Sequence, residues 1–242
     1  MKHADLPRRE ILPYHERDRK ESTMDVAIAG GHGKIALHLA EQLSGQGHRV
    51  RALIRNPDHA DDVTATGAVP VVLDLEQASV DELAEAIAGA DAAVFAAGAG
   101  PGSGAARKYT VDKNGSVLLA DAAQRAGVRR FLQISAMGAG EPPTAGGDEV
   151  WLAYLDAKSQ AEEDLRSREL DWTILRPGRL VDSAPAGSVT LSTGRVGRDS
   201  IARADVAAVI AALLPAANTV HTTLELVEGA TPIAEAVAAI VS

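Results

Sequence analysis

The stretch Asp25-Val-Ala-Ile-Ala-Gly30-Gly-His-Gly-Lys-Ile-Ala36 decides the fold of this chain. It begins as a short apolar run, turns through glycines, and continues with the apolar spacing that is typical of a helix. Gly30 allows a tight turn, Gly33 allows the backbone to approach a bound group, and Ala36 lets the helix pack closely on the strand. A strand, a glycine-rich turn and a helix in this order predict the first unit of a dinucleotide-binding α/β fold.

The same alternation continues along the chain. Strands are predicted at 25–29, 49–54, 69–73, 92–97, 130–134 and 173–175, with later β-like runs at 188–191 and 222–227. Helices are predicted at 34–46, 57–66, 80–88, 108–126, 153–168, 205–213 and 232–241. Strands that alternate with helices predict a parallel sheet with right-handed crossovers, and strands without polar alternation predict helices on both faces. The fold class is therefore α/β: a doubly wound parallel sheet of Rossmann type in a single domain.

The first residues differ from the rest of the chain. Residues 1–23 contain six Lys/Arg, five Asp/Glu and two prolines, with little apolar periodicity. This composition predicts a disordered leader. Residues 24–242 are predicted to form the NAD(P)-binding Rossmann domain, of which about 177–242 is a small substrate-side extension, because it is too short for a separate domain.

Composition excludes several function classes. A net charge of −9 argues against general affinity for nucleic acid or an anionic membrane. No apolar run approaches the roughly 20 residues that span a bilayer, and no signal-peptide-like run stands near the start. The absence of cysteine excludes disulfides and thiol chemistry, and we predict no metal site. We expect a cytoplasmic monomer or homodimer whose partner is a small-molecule substrate, without nucleic-acid or membrane partners.

The glycine turn predicts a phosphate site, because the N-terminus of the first helix offers free N–H groups and a positive dipole end. Lys34 has two open interpretations, a phosphate contact and an exposed side chain in the first helical turn, whereas His32 fits a loop residue better than a ligand. The predicted cofactor-binding residues are Gly30, Gly31, His32, Gly33, Lys34, Ile35, Arg55, Asp74, Leu75, Ala96, Ala97, Gly98 and Pro177.

The residue after the second predicted strand indicates which dinucleotide binds. NAD sites usually place Asp or Glu there, to accept a hydrogen bond from the ribose 2′-hydroxyl. This chain has Arg55, whose planar cationic fork suits a 2′-phosphate, although a solvated arginine at a strand end is the alternative. The prediction is NADP (NADPH). Asp74 is placed either to reach the adenine amino group or to cap the following helix.

Three further residues suggest acid–base chemistry. Ser135 ends the fifth predicted strand, at the sheet edge where open α/β folds bind ligands. Tyr154 and Lys158 are four apart on a predicted helix, and therefore on one face. A nearby ammonium draws the pKa of a tyrosine towards the working range, a serine hydroxyl orients a carbonyl, and a nicotinamide supplies hydride. Ser135, Tyr154 and Lys158 are the candidate catalytic residues, with a helix-surface Tyr–Lys contact as the alternative.

Together, Gly30-x-x-Gly33-x-x-Ala36, Arg55, Ser135 and Tyr154-x-x-x-Lys158 resemble the short-chain dehydrogenase/reductase superfamily. The stretches 126–135 and 170–179 resemble its atypical branch, the NAD(P)H-binding proteins related to flavin/biliverdin reductase and the NmrA-like proteins. The resemblance implies strand order 3-2-1-4-5-6-7, a nicotinamide next to Pro177, and the same three catalytic residues.

These residues predict an NADP-dependent oxidoreductase that transfers hydride between NADPH and a small carbonyl, quinone or flavin-like acceptor. The alternative is a catalytically silent NmrA-like regulator that binds NADP and senses redox state. The Tyr154/Lys158 pair favours the enzyme, because a pure sensor has no need of it.

Overall fold

The computed structural model describes residues 23–100, 102–142 and 148–241, so all but the last residue of the predicted leader at 1–23 lies outside the described residues. The strands are β1 Asp25–Ala29, β2 Arg49–Ile54, β3 Val69–Val72, β4 Ala92–Phe95, β5 Arg130–Ile134, β6 Asp171–Pro177, β7 Arg179–Val181, β8 Ser188–Ser192, β9 Ser200–Ala202, β10 Thr222–Glu228 and β11 Thr231–Pro232. The α-helices are α1 Lys34–Gly45, α2 Ala60–Ala65, α3 Val80–Ile87, α4 Ala105–Arg107, α5 Asn114–Ala126, α6 Glu149–Arg166, α7 Arg203–Leu213 and α8 Ile233–Ala238. Short 3₁₀ turns span Pro57–His59 and Ala217–Thr219, and a π-helical turn spans Lys108–Lys113.

The central sheet has the order β11-β8-β10-β6-β5-β4-β1-β2-β3. Its seven strands from β3 to β10 pair in parallel, and they confirm the predicted order 3-2-1-4-5-6-7 and the Rossmann fold. β8 pairs antiparallel with β10, and β11 antiparallel with β8. β7 and β9 form a separate two-stranded parallel sheet. The region after Pro177 therefore contributes strands to the central sheet itself.

Helices cover both faces of this sheet, as its apolar strands predict. Along β1, Val26 and Ile28 point into a core formed with α1, α7 and α8, whereas Ala27 and Ala29 point into a second core with α3 and α5. The alternation follows from the two-residue period of a strand. The carboxyl ends of the parallel strands are thus left open at one edge between two helical layers.

Several predicted bounds are wrong in detail. The predicted strand 173–175 is part of a seven-residue strand, because Asp171 and the following residues continue the pairing with β5. The helix predicted at 153–168 begins four residues earlier, since Asp148 accepts a hydrogen bond from the backbone N–H of Val150 and caps it. The helix predicted at 108–126 is preceded by one turn of α4 and begins as a π-turn.

Candidate functional site

The glycine turn lies where β1, β2 and β4 come closest. Gly30 has φ +81°, and a Cβ there would lie 2.5 Å from the Cα of Ala97. A Cβ on Gly31 would lie 2.6 Å from the Cβ of Ala52, while its own N–H donates to the carbonyl of Leu53 at 2.8 Å. Both positions therefore need glycine, the first for conformation and contact, the second for contact alone.

The turn leads directly into the N-terminus of α1. Gly33 occupies the cap position with extended backbone angles, φ −64° and ψ 147°, and no side chain caps the helix. The first turn contains no acidic residue. Backbone N–H groups and the positive end of the helix dipole thus face the turn without a competing carboxylate, as a phosphate site requires.

A small cavity of about 320 Å³ opens beside this turn. It runs from the glycines to the ends of β2 and β3 and reaches the residues after β4. Its walls include the predicted residues Gly30, Gly31, His32, Gly33, Arg55, Asp74, Leu75, Ala96, Ala97 and Gly98. The chain therefore brings ten of the thirteen predicted cofactor residues to one cavity.

Arg55 shares this cavity with a second arginine. Nη1 of Arg55 lies 3.4 Å from Oε2 of Glu76, and Nη2 of Arg107 lies 2.8 Å from the same oxygen. Hydrogen bonds from Arg107 and Thr110 lower the pKa of the Glu76 carboxyl. Two guanidinium groups thus converge on the Glu76 carboxylate, and the carboxylate of Asp74 lines the same cavity. Neither Arg107 nor Glu76 was predicted at the site from the sequence, since only the fold brings these distant residues to Arg55.

Three other predicted residues have partners within the chain. Nζ of Lys34 lies 2.5 Å from Oδ2 of Asp182, and the lysine lines neither the small cavity nor the large one described below. The His32 ring stacks on that of His59 at 3.6 Å. Asp74 accepts a hydrogen bond from the N–H of Glu76 at 3.0 Å in the turn after β3, whereas Ser79 caps the following helix α3.

A large cavity of about 980 Å³ adjoins the small one through the residues after β4. Ser135, Tyr154 and Lys158 all line it, although nineteen positions separate the first two in the sequence. Ile35 and Pro177, the remaining predicted cofactor residues besides Lys34, line it as well. The three candidate catalytic residues therefore face one space at the carboxyl edge of the sheet.

Lys158 is held in a buried ion pair. Only 3% of the residue is exposed, and its Nζ lies 3.3 Å from Oδ1 of Asp112 and donates to the carbonyl of Ile134 at 3.0 Å. The second oxygen of Asp112 accepts from the backbone N–H of Ala99 at 3.1 Å. These contacts fix the ammonium between β5 and the π-turn and leave it one further hydrogen to donate.

Tyr154 lies next to this pair, with its ring centroid 5.8 Å from Nζ of Lys158. Burial raises the pKa of its phenol; the charge of Lys158 lowers it, and that of Asp112 raises it. Among the described residues, its hydroxyl has no hydrogen-bond partner. The phenol is thus kept protonated and faces the cavity.

The Ser135 hydroxyl donates to Glu162 at 2.5 Å. This carboxylate is fully buried and also accepts from Nε of Arg176 at 2.9 Å and from Nη2 of Arg166 at 2.7 Å. The hydrogen of Ser135 therefore points away from the cavity, and its oxygen is free to accept a hydrogen bond from it.

The π-turn at Lys108–Lys113 brings two further residues to the large cavity. The buried Lys108 and Asp112 of this turn line the cavity, and π-helical turns are frequent at functional sites. Sequence periodicity treats this segment as ordinary helix, so neither residue was expected at the site.

Known proteins match most of the length of this chain. The model of a family described as NAD(P)H-binding matches residues 30–217. A protein of Bacillus subtilis named uncharacterized sugar epimerase YhfK is 35% identical, over 88% of this chain and 98% of its own length. A solved structure titled putative NAD-dependent epimerase/dehydratase from Bacillus halodurans is 36% identical, with a TM-score of 0.82 over 89% of this chain and 99% of that one.

A more distant structure shares the fold. An Escherichia coli protein titled ChuY, an anaerobillin reductase, is 24% identical with a TM-score of 0.72, over 84% of this chain and 97% of that one. The family match and the two Bacillus relatives confirm the resemblance to NAD(P)H-binding proteins. Among residues 23–100, 102–142 and 148–241, no helix combines the length and apolar character needed to cross a bilayer.

Proposed function

The chain belongs to the NAD(P)H-binding family, and we propose that it is an NADPH-dependent oxidoreductase of the short-chain dehydrogenase/reductase type. Its acceptor would be a small carbonyl, quinone or flavin-like compound. The observation that supports the proposal is that Ser135, Tyr154 and Lys158 all line the large cavity. A bound nicotinamide supplies hydride, and the residues of the chain position the acceptor and move the proton.

Tyr154 is the proposed proton donor. Reduction of a carbonyl requires a proton on the developing alkoxide, and a phenol whose pKa is raised by burial carries that proton throughout the neutral range. Lys158 stabilises the phenolate that remains after transfer, while Asp112 holds the ammonium in place. Asp112 therefore fixes the position of the ammonium, and the charge of Lys158 alone favours the phenolate.

Ser135 has a narrower role than the one expected from its position. Because its hydrogen is donated to Glu162, Ser135 accepts a hydrogen bond from the cavity, as from an alcohol. Donation to a carbonyl oxygen requires the hydroxyl to rotate away from Glu162.

Preference for NADPH is supported by Arg55 and Arg107. Two guanidinium groups share one carboxylate at the end of the small cavity, where they can donate charge-assisted hydrogen bonds to a 2′-phosphate. Both side chains are partly exposed, which limits the gain in affinity through solvent screening.

The decisive experiment measures oxidation of NADPH at 340 nm with a panel of aldehydes, quinones and flavins, comparing wild type with Tyr154→Phe. We expect turnover of at least one acceptor and its loss in the variant, with unchanged NADPH affinity. Tyr109→Phe is the matched control, since the Tyr109 hydroxyl donates to Asp156 and the residue lines neither described cavity. Undiminished turnover in Tyr154→Phe refutes the proposed proton donor.

A second candidate is the catalytically silent NADP-binding regulator. It is favoured by the donation of the Ser135 hydroxyl to Glu162, which leaves no serine hydrogen for a substrate carbonyl. Binding of NADPH and NADP⁺ with different affinities, without turnover of any acceptor, would support this function. The epimerase names of the two Bacillus proteins suggest a related test, in which nucleotide sugars are added to the NADP⁺-loaded chain and searched for epimers.

A further inference from the structure

A buried ammonium in the large cavity has no role in the steps proposed so far. Lys108 is 8% exposed and lines the large cavity but not the small one. Its Nζ donates to the carbonyl of Gly100 at 3.0 Å and lies 5.6 Å from the ring centroid of Tyr154. An ammonium has three hydrogens to donate, so the Gly100 contact leaves two.

No carboxylate balances this charge in the described part of the chain. There, no carboxylate oxygen lies within 4.0 Å of Nζ of Lys108. Asp112, four residues further on, is the nearest acidic residue in sequence and pairs with Lys158. Because a buried charge without a counter-charge is unfavourable, binding of an anion would satisfy the site.

The surrounding wall suits the rest of such a ligand. Arg179 lines the same cavity and is exposed, and it forms no ion pair with any residue that the structure describes. Met137, Val150, Trp151 and Leu180 provide apolar surface in the same cavity. The cavity therefore combines an apolar wall with the buried cation of Lys108 and the exposed cation of Arg179. Asp148 and Asp199 also line it, and neither lies within 4.0 Å of Nζ of Lys108.

We propose that the large cavity binds an acceptor with a carboxylate or phosphate group, which Lys108 holds next to Tyr154. The identity of the anion as part of the acceptor rests on the proposed reductase function. The pyrophosphate of a dinucleotide is a poor occupant, because the glycine turn lines the small cavity and Lys108 does not. Nζ of Lys108 lies 5.6 Å from the centroid of the Tyr154 ring. An acceptor whose anionic group binds Lys108 therefore presents its reducible group to the phenol of Tyr154.

The test measures binding without turnover. Benzoate, phenyl phosphate and neutral benzamide are titrated calorimetrically into the protein saturated with NADP⁺. We expect benzoate or phenyl phosphate to bind at least about tenfold more tightly than benzamide, the strength of a charge-assisted hydrogen bond. The tighter of the two anions identifies the acceptor's group as a carboxylate or a phosphate.

Variants locate the effect. Lys108→Met keeps the length of the side chain and should lose the preference for anions, whereas Lys113→Met, in the same π-turn but outside both cavities, should retain it. Equal binding of benzoate, phenyl phosphate and benzamide by the wild type overturns the proposal without any variant, and so does the absence of binding. A tenfold loss of NADP⁺ affinity in Lys108→Met also overturns it, by assigning the lysine to the cofactor.

The two proposals fail separately. If the protein prefers anions through Lys108 but never oxidises NADPH, the proposed anion site stands and the proposed reductase function is refuted. A protein that reduces neutral acceptors and shows no preference for anions retains the reductase function and loses the anion site.

Discussion

Replacing Glu162 by Gln should destabilise the protein more than any neighbouring charge change. The carboxylate is fully buried between β5, β6 and α6, where it accepts from Ser135, Arg166 and Arg176. Glutamine removes the charge and turns an amide NH₂ towards one of these donors. Breaking a buried pair costs about 3–5 kcal/mol, because the remaining charge is left without its partner.

The contribution of each arginine to this loss of stability follows from the exposure of its side chain. The Arg166 side chain is 37% exposed, so its loss should cost less than about 1 kcal/mol. The Arg176 side chain is 18% exposed and donates through two nitrogens, so most of the effect belongs to Arg176 together with Ser135. Replacing Glu162 and Arg176 together by Leu and Met should cost less than the sum of the single changes, since neither charge is then stranded.

The assay is urea unfolding at 25 °C, followed by the fluorescence of the buried Trp172. Glu163→Gln is the matched control: this neighbouring carboxylate is exposed, so its loss should change the free energy of unfolding by less than about 0.5 kcal/mol. A Glu162→Gln variant within about 1 kcal/mol of the wild type would refute the claim that this network stabilises the fold.

Three further outcomes are expected. Arg55→Ala should weaken NADPH binding about 5- to 30-fold by calorimetry and leave NADH binding unchanged. The control Arg49→Ala, at the other end of β2, should change neither affinity. Equal wild-type affinity for NADPH and NADH contradicts the 2′-phosphate argument. Because the pKa of Tyr154 is raised, kcat for reduction should stay level from about pH 6 to 8.5. The rate of alcohol oxidation, which needs the phenolate, should rise with pH. A fall in kcat for reduction over that range contradicts Tyr154 as the acid. Gly30→Ala should lower the free energy of unfolding by about 2 kcal/mol or more and abolish dinucleotide binding. The reason is that position 30 combines a positive φ with a 2.5 Å contact between an added Cβ and the backbone of Ala97. Gly45→Ala in α1, with open space around it, is the control that should leave binding intact.

The sequence predicted what depends on local pattern. Apolar runs and glycine turns located β1, β2 and β5 to the residue, because a buried strand between two helical layers has a continuous apolar signature. The strand order followed from the resemblance to a family. The π-turn was missed, since apolar spacing does not distinguish a single wide turn from an α-helix. β7 and β9 were missed because each has three residues and pairs with the other across eighteen intervening positions.

Partners that come from distant parts of the chain could not be predicted in the same way. The sequence placed Tyr154 and Lys158 on one helix face, but nothing in it indicates that Asp112 pairs with the lysine or that Glu162 takes the hydrogen of Ser135. These two carboxylates decide what the site can do. The first lowers the net charge next to the phenol, and the second turns the serine into an acceptor.

The two carboxylates also explain how one site can be both rigid and reactive. Asp112 and Glu162 are each almost fully buried, and each is satisfied by donors from separate elements, so they lock the π-turn, β5, β6 and α6 together. Tyr154 has no such partner in the described part of the chain and faces the cavity. The carboxylates of Asp112 and Glu162 are hydrogen-bonded within the fold, whereas the Tyr154 hydroxyl is not hydrogen-bonded to any described residue. This hydroxyl is therefore free to exchange its proton with a ligand. Removing the contacts of Asp112 or Glu162 should therefore lower the stability of the protein first, whereas removing the Tyr154 hydroxyl should lower activity alone.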